Sequence, residues 1–427
     1  MAVTRAHWAR YHRILAGILI VLILVAAGLV IAQDQETLRV RTSIGVDDGR
    51  FPDYLARLVG HPLTAGDSYL VHTNGDAAFP AMLAAIDSAK DRVAFESYIY
   101  QDGDVADRFT GAFVSAARRG VRVRIVVDSV GSSKMGEAHI KRLEDAGVKI
   151  GWVNPIFGTD VEEVNYRSHR KALVVDGQVG FVGGMGVADQ WLHDSEEFAR
   201  WRDTQIEVHG PAVGDIEAGF NQNWILTGGV VDPEVPPAGP RPSGPASSIV
   251  VWSSPQGGAN ELKLLYLLAI AAARHDIDIQ SPYLITDESS QWSLQEARNR
   301  GVRIRMLVEG DKTDAKTVKY ASRGDYQTLL EMGVEIAEYQ PTMMHTKAMT
   351  IDGRMSIVGS ANFDNRSLEL NDELNVAVFD PETAQRLRTD FEKDLAASKK
   401  LTLEEWQARP LPEKARDWLL SYFGEVF

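Results

Sequence analysis

The sequence contains one pattern twice, and this duplication constrains the fold more than any other feature. Three segments recur in the same order, each 176 to 186 residues after its first occurrence. The pairs are RGVRVRI at 119–125 and RGVRIRM at 300–306, AGVKI at 146–150 and MGVEI at 332–336, and SHRKALVVDG at 168–177 and MHTKAMTIDG at 344–353. Repetition at one nearly constant spacing indicates two copies of a single domain.

Each copy alternates Ala-rich helical stretches with short apolar strands, as at 77–90 and 92–100. This alternation predicts an α/β fold, with a mixed, largely parallel sheet and helices on both faces of each copy. Residues 228–248 hold six of the 17 prolines, which is typical of a linker. The predicted organisation is a first domain at 60–228, a linker at 229–248, a second domain at 249–405 and a C-terminal tail at 406–427.

The segment 14–32 has nineteen residues without a charge, enough to cross a hydrocarbon core of about 30 Å. Arg5, Arg10 and Arg13 precede it, and acidic residues follow it. The positive-inside rule then predicts a single-pass anchor in the cell (inner) membrane, with 1–13 in the cytoplasm and the rest of the chain on the outer face. A cleaved signal peptide is the alternative interpretation.

Composition excludes several kinds of chemistry. The 427 residues include no cysteine, which excludes a thiolate nucleophile, a Cys-ligated zinc site and an iron–sulfur cluster. The formal net charge is −14, and this acidic balance argues against a nucleic-acid partner.

The third repeated segment carries the reactive side chains. His169 and Lys171 lie two residues apart, as do His345 and Lys347, so each pair points to one face of a strand. A single pair of this kind is usually a solvated strand face. Two pairs at equivalent positions, each followed by Asp-Gly and a glycine-containing turn, indicate a functional site instead.

Both copies resemble the HKD motif of the phospholipase D superfamily. The matching residues are His169, Lys171 and Asp176 in the first copy and His345, Lys347 and Asp352 in the second. The second copy continues with GSANFDNRS at 359–367, then Asn371 and Glu373, which is similar to the tail of bacterial cardiolipin synthases. The resemblance extends from about residue 65 to residue 410.

The resemblance implies a phosphatidyltransferase of cardiolipin-synthase type, which moves a phosphatidyl group between phosphatidylglycerol molecules through a phosphohistidine. It implies that His169 attacks phosphorus, that His345 handles the proton of the leaving and entering oxygens, and that Lys171 and Lys347 hold the non-bridging oxygens. Displacement at a phosphodiester needs these parts, a nucleophile, a proton donor and fixed positive charge, and we expect neither a metal nor another cofactor.

The resemblance also implies a phosphate cradle formed by Gly184, Ser360 and Asn362. The first copy departs from the family pattern at Gly186, where the second copy has Asn362. We expect this glycine to open space beside His169.

Carboxylates are expected to orient the two imidazoles. Family members place one about 25–35 residues after each histidine, and here Asp203 follows His169 by 34 residues while Glu373 follows His345 by 28. This spacing assigns Asp203 to the first histidine and Glu373 to the second. The aspartates of the motifs, Asp176 and Asp352, stand next to glycine and are interpreted as turn-anchoring residues that bind local backbone amides.

Three alternatives remain at this stage. A phospholipase D hydrolase would use the same residues with water as acceptor and release phosphatidic acid. A nuclease and a catalytically inactive scaffold are less consistent with the acidic charge and with two intact motifs.

The C-terminal tail is rich in apolar side chains, among them Trp418 and Leu419. These side chains either dock on a bilayer interface or pack back on the protein, and the sequence does not decide between the two.

Overall fold

The computed structural model describes residues 37–155, 166–194, 199–231, 241–254 and 260–421. Its strands are β1 Leu63–Thr73, β2 Arg92–Ser97, β3 Arg122–Asp128, β4 Lys149–Val153, β5 Arg167–Ser168, β6 Ala172–Val175, β7 Val179–Gly183, β8 Thr204–His209, β9 Ala246–Ser253, β10 Asp276–Gln280, β11 Leu284–Ile285, β12 Arg303–Glu309, β13 Glu335–Tyr339, β14 Ala348–Ile351, β15 Met355–Gly359, β16 Phe363–Asp364, β17 Asn371–Phe379 and β18 Ser398–Leu401.

The α-helices are α1 Phe51–Val59, α2 Gly75–Ser88, α3 Asp104–Arg118, α4 Glu137–Asp145, α5 Ala212–Leu226, α6 Glu261–Ala272, α7 Glu288–Asn299, α8 Lys316–Ser322, α9 Tyr326–Glu331, α10 Pro381–Ala396, α11 Leu403–Gln407 and α12 Leu411–Ser421. A 3₁₀ turn covers Asp189–Trp191, and a π-helical turn covers Arg366–Leu370.

The two copies share one continuous sheet within the described residues. Its order is β18-β13-β12-β10-β14-β15-β17-β9-β1-β8-β7-β6-β2-β3-β4, and β5 pairs with β17 beside this path. Strands β9 and β1 join the copies as an antiparallel pair. The described residues from 39 onward accordingly form one compact unit. Strand β9 begins at Ala246, so the last residues of the predicted linker already belong to the sheet.

The expectation of a largely parallel sheet is wrong, because most neighbouring strands are antiparallel. Only β2-β3-β4 and β10-β12-β13 run parallel along the main path. Helices connect those strands, whereas the Asp-Gly turns at 176–177 and 352–353 connect β6 to β7 and β14 to β15 as hairpins. A short turn can join only antiparallel strands.

Helices do cover both faces of the sheet. Along β2, Val93 and Phe95 pack into a core with helices α2 and α3, while Ala94 between them packs into a second core with α5. Helix α1, which precedes the first copy, contributes Phe51 and Leu55 to the core of the second copy.

No helix of the described part of the chain is long and apolar enough to cross a membrane. The predicted anchor at 14–32 lies outside the described residues.

Candidate active site

The two His-Lys pairs have the same local geometry. His169 and His345 lie just before strands β6 and β14. In each pair the lysine Nζ donates a hydrogen bond to the carbonyl oxygen of its histidine, at 2.7 Å for Lys171 and 2.7 Å for Lys347. Both lysines are buried, so each ammonium group is held in a fixed place beside an imidazole.

Each imidazole contacts a carboxylate from the other copy. His169 Nδ1 lies 2.9 Å from Glu373 Oε1, and His345 Nδ1 lies 2.8 Å from Asp203 Oδ2. The pairing predicted from sequence spacing, with each carboxylate serving the histidine of its own copy, is therefore wrong. Since Nδ1 is engaged in both rings, Nε2 is the nitrogen left for reaction.

Backbone pairing explains the crossed arrangement. Strand β5 runs parallel to the start of β17, and the amide of His169 donates to the carbonyl oxygen of Asp372 at 2.9 Å. At the second histidine, Arg202 and Met344 form an isolated parallel β-bridge, and the amide of His345 donates to the Arg202 carbonyl oxygen at 2.7 Å. Each histidine is thus tied to the residue that precedes the opposite carboxylate.

The Glu373 carboxylate is fully buried and held from several sides. It accepts hydrogen bonds from Ser360 Oγ at 2.5 Å and from Asn371 Nδ2 at 3.3 Å, besides its contact with His169. Burial raises the pKa of its carboxyl, but the neighbouring His169 and Lys171 outweigh this effect and lower the pKa to about 2. Glu373 is therefore ionised at neutral pH.

Ser360 is directed toward Glu373 in this arrangement. Its hydroxyl donates to the Glu373 carboxylate and accepts the Leu374 amide at 3.0 Å. A phosphate contact, as the resemblance implies for Ser360, would compete with these two bonds.

Asp203 has equivalent support. Its carboxylate accepts from Trp191 Nε1 at 2.8 Å and from the Thr204 amide at 2.8 Å, and it is completely buried. Burial raises the pKa of Asp203, yet the charge of His345 and the hydrogen bonds lower it below its ordinary value.

Gly184 allows this carboxylate to approach. A Cβ atom at position 184 would lie 2.3 Å from Asp203 Oδ1, which no side chain permits. Gly184 thus leaves the space that the Asp203 carboxylate occupies beside it.

Gly186 does not open space beside His169, contrary to the expectation. A Cβ there would lie 2.9 Å from both Cβ and the carbonyl oxygen of Ile99, and 3.3 Å from the Trp191 ring. The position is filled by its neighbours, and glycine is the residue that fits. In the second copy Asn362 is buried, and its Oδ1 has no hydrogen-bond partner among the described residues.

Aromatic rings contact both imidazoles, and burial lowers the pKa of each. His169 contacts Tyr98 edge-on at 5.1 Å between ring centroids, and His345 contacts Trp191 at 5.5 Å and Trp201 at 5.3 Å. Burial lowers the pKa of His169 to about 4, against the opposing pull of Glu373. Burial and then Lys347 lower the pKa of His345 as well.

The lysines are shifted in the same direction. Burial lowers the pKa of Lys171 to about 7 and that of Lys347 to about 8, although Glu373 and Asp203 oppose the shift. Both lysines and both imidazoles thus share a buried site with two carboxylates, and a bound anion would stabilise the protonated forms of the lysines and imidazoles.

The motif aspartates lie at the far ends of the hairpins. Asp176 accepts the amides of residues 90, 91 and 92 at 2.8–2.9 Å, and Asp352 accepts those of 274, 275 and 276 at 2.8–2.9 Å. A four-residue strand of about 13 Å separates each from its lysine. Both bind backbone amides as expected, but the amides belong to neighbouring segments of the fold and not to their own turns. Both aspartates have positive φ, 53° and 51°.

Buried polar networks lie behind each histidine, and sequence reasoning anticipates Glu96 as a side chain that could line the site but not the networks themselves. Glu96 accepts from Ser168 Oγ and Asn223 Nδ2, both at 2.7 Å. In the second copy Asp394 accepts from Arg202 Nε at 2.9 Å and from Gln280 Nε2 at 2.9 Å. Glu96 and Gln280 end equivalent strands, β2 and β10, and this equivalence is the signal that could have revealed the networks.

No group of three His, Cys, Asp or Glu side chains in the described ranges converges as a metal site.

Comparison with known proteins gives consistent results. The sequence model of the family described as "Cardiolipin synthase, PLD-like domain" matches residues 82–224 and 266–395. A cardiolipin synthase of Geobacillus kaustophilus is 33% identical over 358 residues, covering 83% of this chain and 71% of that protein. A probable cardiolipin synthase of Bacillus subtilis, YwiE, is 30% identical over 396 residues, covering 92% of this chain and 79% of that protein.

Among solved structures, a phosphatidylserine synthase of Haemophilus influenzae superimposes with a TM-score of 0.65 at 16% identity, over 88% of this chain and 98% of that one. A polyphosphate kinase of Porphyromonas gingivalis gives a TM-score of 0.52 at 13% identity, over 84% of this chain and 54% of that one. At these identities the likeness concerns the fold.

Proposed function

Because the chain belongs to the cardiolipin synthase family of the phospholipase D superfamily and is an enzyme of that superfamily, we propose that it joins two phosphatidylglycerol molecules into a double-phosphatidyl lipid and releases glycerol. The observation that carries the proposal is the symmetric pair of imidazoles, each with Nδ1 held by a carboxylate and with Nε2 left for chemistry.

The reaction takes two displacements at one phosphorus atom. In the first, Nε2 of His169 forms a bond to phosphorus, the bond from phosphorus to the glycerol oxygen breaks, and His345 gives a proton to that oxygen. In the second, the hydroxyl of a second phosphatidylglycerol returns a proton to His345, its oxygen bonds to phosphorus, and the bond to His169 breaks. Protons and bonds balance over the cycle, and no further reactant is needed.

The lowered pKa of His169 supports its role as the nucleophile. A pKa of about 4 keeps His169 neutral and nucleophilic at physiological pH. The proton donor must carry a proton, and an anionic phosphodiester beside His345 raises the pKa of that imidazole toward neutrality. Glu373 and Asp203 stabilise each imidazole when it becomes cationic.

The two lysines supply fixed positive charge. Lys171 and Lys347 are compact ammonium groups, each held beside its own histidine, and we assign them to the non-bridging oxygens of the phosphodiester. Their charge is worth most in a water-poor site, where developing negative charge in the transition state is otherwise unscreened. Asn362 is buried two residues after Ser360, and we assign its amide NH₂ to the phosphate from its place in the motif.

The substrate is a membrane lipid, and we place the catalytic domain on the outer face of the cell membrane. The basic residues before the predicted anchor at 14–32 support this orientation.

The test is product analysis with the purified full-length chain and phosphatidylglycerol labelled in its glycerol headgroup. We expect free labelled glycerol together with a lipid that carries two phosphatidyl groups. A His169→Ala/His345→Ala double variant serves as the matched control for contaminating activity. Phosphatidic acid as the main lipid product would show that the protein is a hydrolase and not a transferase.

A further inference from the structure

We infer that helix α12 lies in the surface of the lipid bilayer with its apolar face inserted, and that it seats the active site on the membrane. This inference rests on the proposed function, since it assumes a phospholipid substrate.

The polarity of α12 is reversed relative to an ordinary surface helix. Leu411, Trp418 and Leu419 are 78%, 60% and 55% exposed, and Ala415 on the same side is also exposed. On the opposite side, Asp417 is 2% exposed. Surface helices of globular proteins normally turn their apolar stripe toward the core, whereas α12 turns it outward.

Arginines fix this orientation. The buried Asp417 carboxylate accepts hydrogen bonds from Arg409 Nη1 at 2.6 Å, Arg416 Nη2 at 2.7 Å and Arg323 Nε at 3.0 Å. The Arg416 guanidinium also stacks on the Tyr320 ring at 3.6 Å. Turning the helix to bury its leucines would break this cluster, so the outward apolar face is built into the fold.

Contacts connect the helix to the catalytic edge, by which we mean the end of the strands at which the two His-Lys pairs lie. Strand β10 stands between β12 and β14, since Gln280 pairs with Leu307 on one side and with Ala348, the residue after Lys347, on the other. Lys319 in α8 donates to the carbonyl oxygen of Gly310, directly after β12, at 2.7 Å.

The next residue of α8, Tyr320, is the one on which Arg416 of α12 stacks. A continuous chain of contacts therefore connects α12 to the catalytic edge.

A bilayer is the partner that fits this face. Helices with an apolar face and a polar face lie in the interfacial plane, and tryptophan is enriched there. The substrate carries two acyl chains that remain in the bilayer, so the catalytic edge must approach the headgroup layer. Because the chain has a net charge of −14, apolar insertion rather than attraction to anionic lipid should dominate. Binding by α12 should then depend little on salt.

The absence of cysteine in the 427-residue sequence permits a direct test. Leu419→Cys is labelled with an environment-sensitive fluorophore in the full-length chain and mixed with phosphatidylglycerol vesicles. Leu226→Cys in α5 is the matched control. It is 56% exposed, and its neighbour Ile225 lines a cavity with Arg122 and Lys149, the first residues of β3 and β4, away from the catalytic edge.

We expect a blue-shifted, brighter emission that brominated acyl chains quench for the label at 419, and no such change for the label at 226. An unchanged emission at 419, or an equal change at both positions, overturns the inference.

A second measurement uses a Leu411→Glu/Leu419→Glu double variant. We expect turnover of phosphatidylglycerol in vesicles to fall about tenfold or more, because two exposed leucines that would insert into the bilayer are replaced by charged side chains. Turnover of a short-chain phosphatidylglycerol below its micellar concentration should stay unchanged, which also shows that the variant is folded. Equal losses of turnover on both substrates would overturn the membrane contact. A dimer of the unaltered chain that the substitutions dissociate would also overturn it, because the leucines would then contact a second copy of the chain.

The proposed function has a separate sign of failure. If the unaltered chain forms no double-phosphatidyl lipid from either substrate, the proposed function fails, and the fluorescence result still decides the membrane contact.

Discussion

The Nδ1 atom of His169 lies 2.9 Å from the carboxylate of Glu373, a residue 204 positions away in the other copy of the repeat. The reciprocal contact joins His345 to Asp203 at 2.8 Å. Each imidazole therefore takes its orienting carboxylate from the opposite copy, and one copy alone lacks a complete centre.

The crossed contacts predict crossed phenotypes. Glu373→Gln should impair the nucleophile His169, because an amide that donates to Nδ1 moves the imidazole proton to Nε2. Asp203→Asn should impair proton transfer by His345 in the same way. We expect turnover to fall roughly 10²–10⁴-fold in each variant. With an activated donor, whose leaving group needs no proton, Asp203→Asn should still form a phosphatidyl-enzyme and Glu373→Gln should not. The reverse result would indicate that each carboxylate serves the histidine of its own copy.

The histidine roles predict which ring is modified. The His345→Ala variant should slowly accumulate a phosphatidyl adduct from the activated donor. The proton of His345 is needed only for the departure of glycerol, and the activated leaving group departs without it. His169→Ala should form none. Mass spectrometry of peptides containing residue 169 or 345 identifies the modified ring, through the acid-labile, base-stable bond to phosphorus. An adduct on His345 in the His169→Ala protein would exchange the two roles.

The shifted pKa values predict a bell-shaped dependence of kcat/KM on pH. Activity should rise from the acid side as His169, with a pKa of about 4, loses its proton and becomes nucleophilic. It should fall in two steps on the alkaline side, first as His345, whose pKa is lowered by burial, loses the proton that the leaving oxygen needs, and then as Lys171 and Lys347, with pKa values of about 7 and about 8, lose the charge that binds phosphate. Lys171→Arg keeps its charge at high pH and should move the second step upward. A second step at the same pH in this variant would assign it to another group.

The packing around Gly186 predicts that the family-like asparagine does not fit there. Gly186→Asn should destabilise the protein by about 1–3 kcal/mol, because its Cβ would press on Ile99 and Trp191. Urea unfolding measures the loss, and Gly111→Ala serves as the control, since no atom lies within 4 Å of a Cβ at that position. Unchanged stability with higher turnover in Gly186→Asn would mean that the site can open there.

The charges around segment 14–32 predict the topology. If the arginines before it stay in the cytoplasm, a protease added to intact spheroplasts should digest the catalytic domain. A cytoplasmic marker protein that survives the same treatment shows that the membrane is intact. Protection of the domain until lysis would reverse the orientation.

The sequence by itself determined the duplication and the identity of the reacting groups. His169 and Lys171 are two residues apart, and strand periodicity alone brings them to one face. That Asp176 binds backbone amides could be predicted from its place beside glycine, but the amides lie in residues 90–92 and not in its own turn. The direction of the strands was predicted less well. The Asp-Gly turns at 176–177 and 352–353 are hairpin signals, yet the alternation of helices and strands favoured a parallel sheet.

Only the tertiary structure decided which carboxylate serves which histidine. The number of residues between His169 and Asp203 would allow these two side chains to meet. The pairing of β5 with β17 brings Glu373 to His169 instead. The fit of Gly186 against Ile99 and the outward leucines of α12 were decided in the same way. Such contacts join residues that are distant in the chain, so they depend on how the two copies pack and not on any local periodicity.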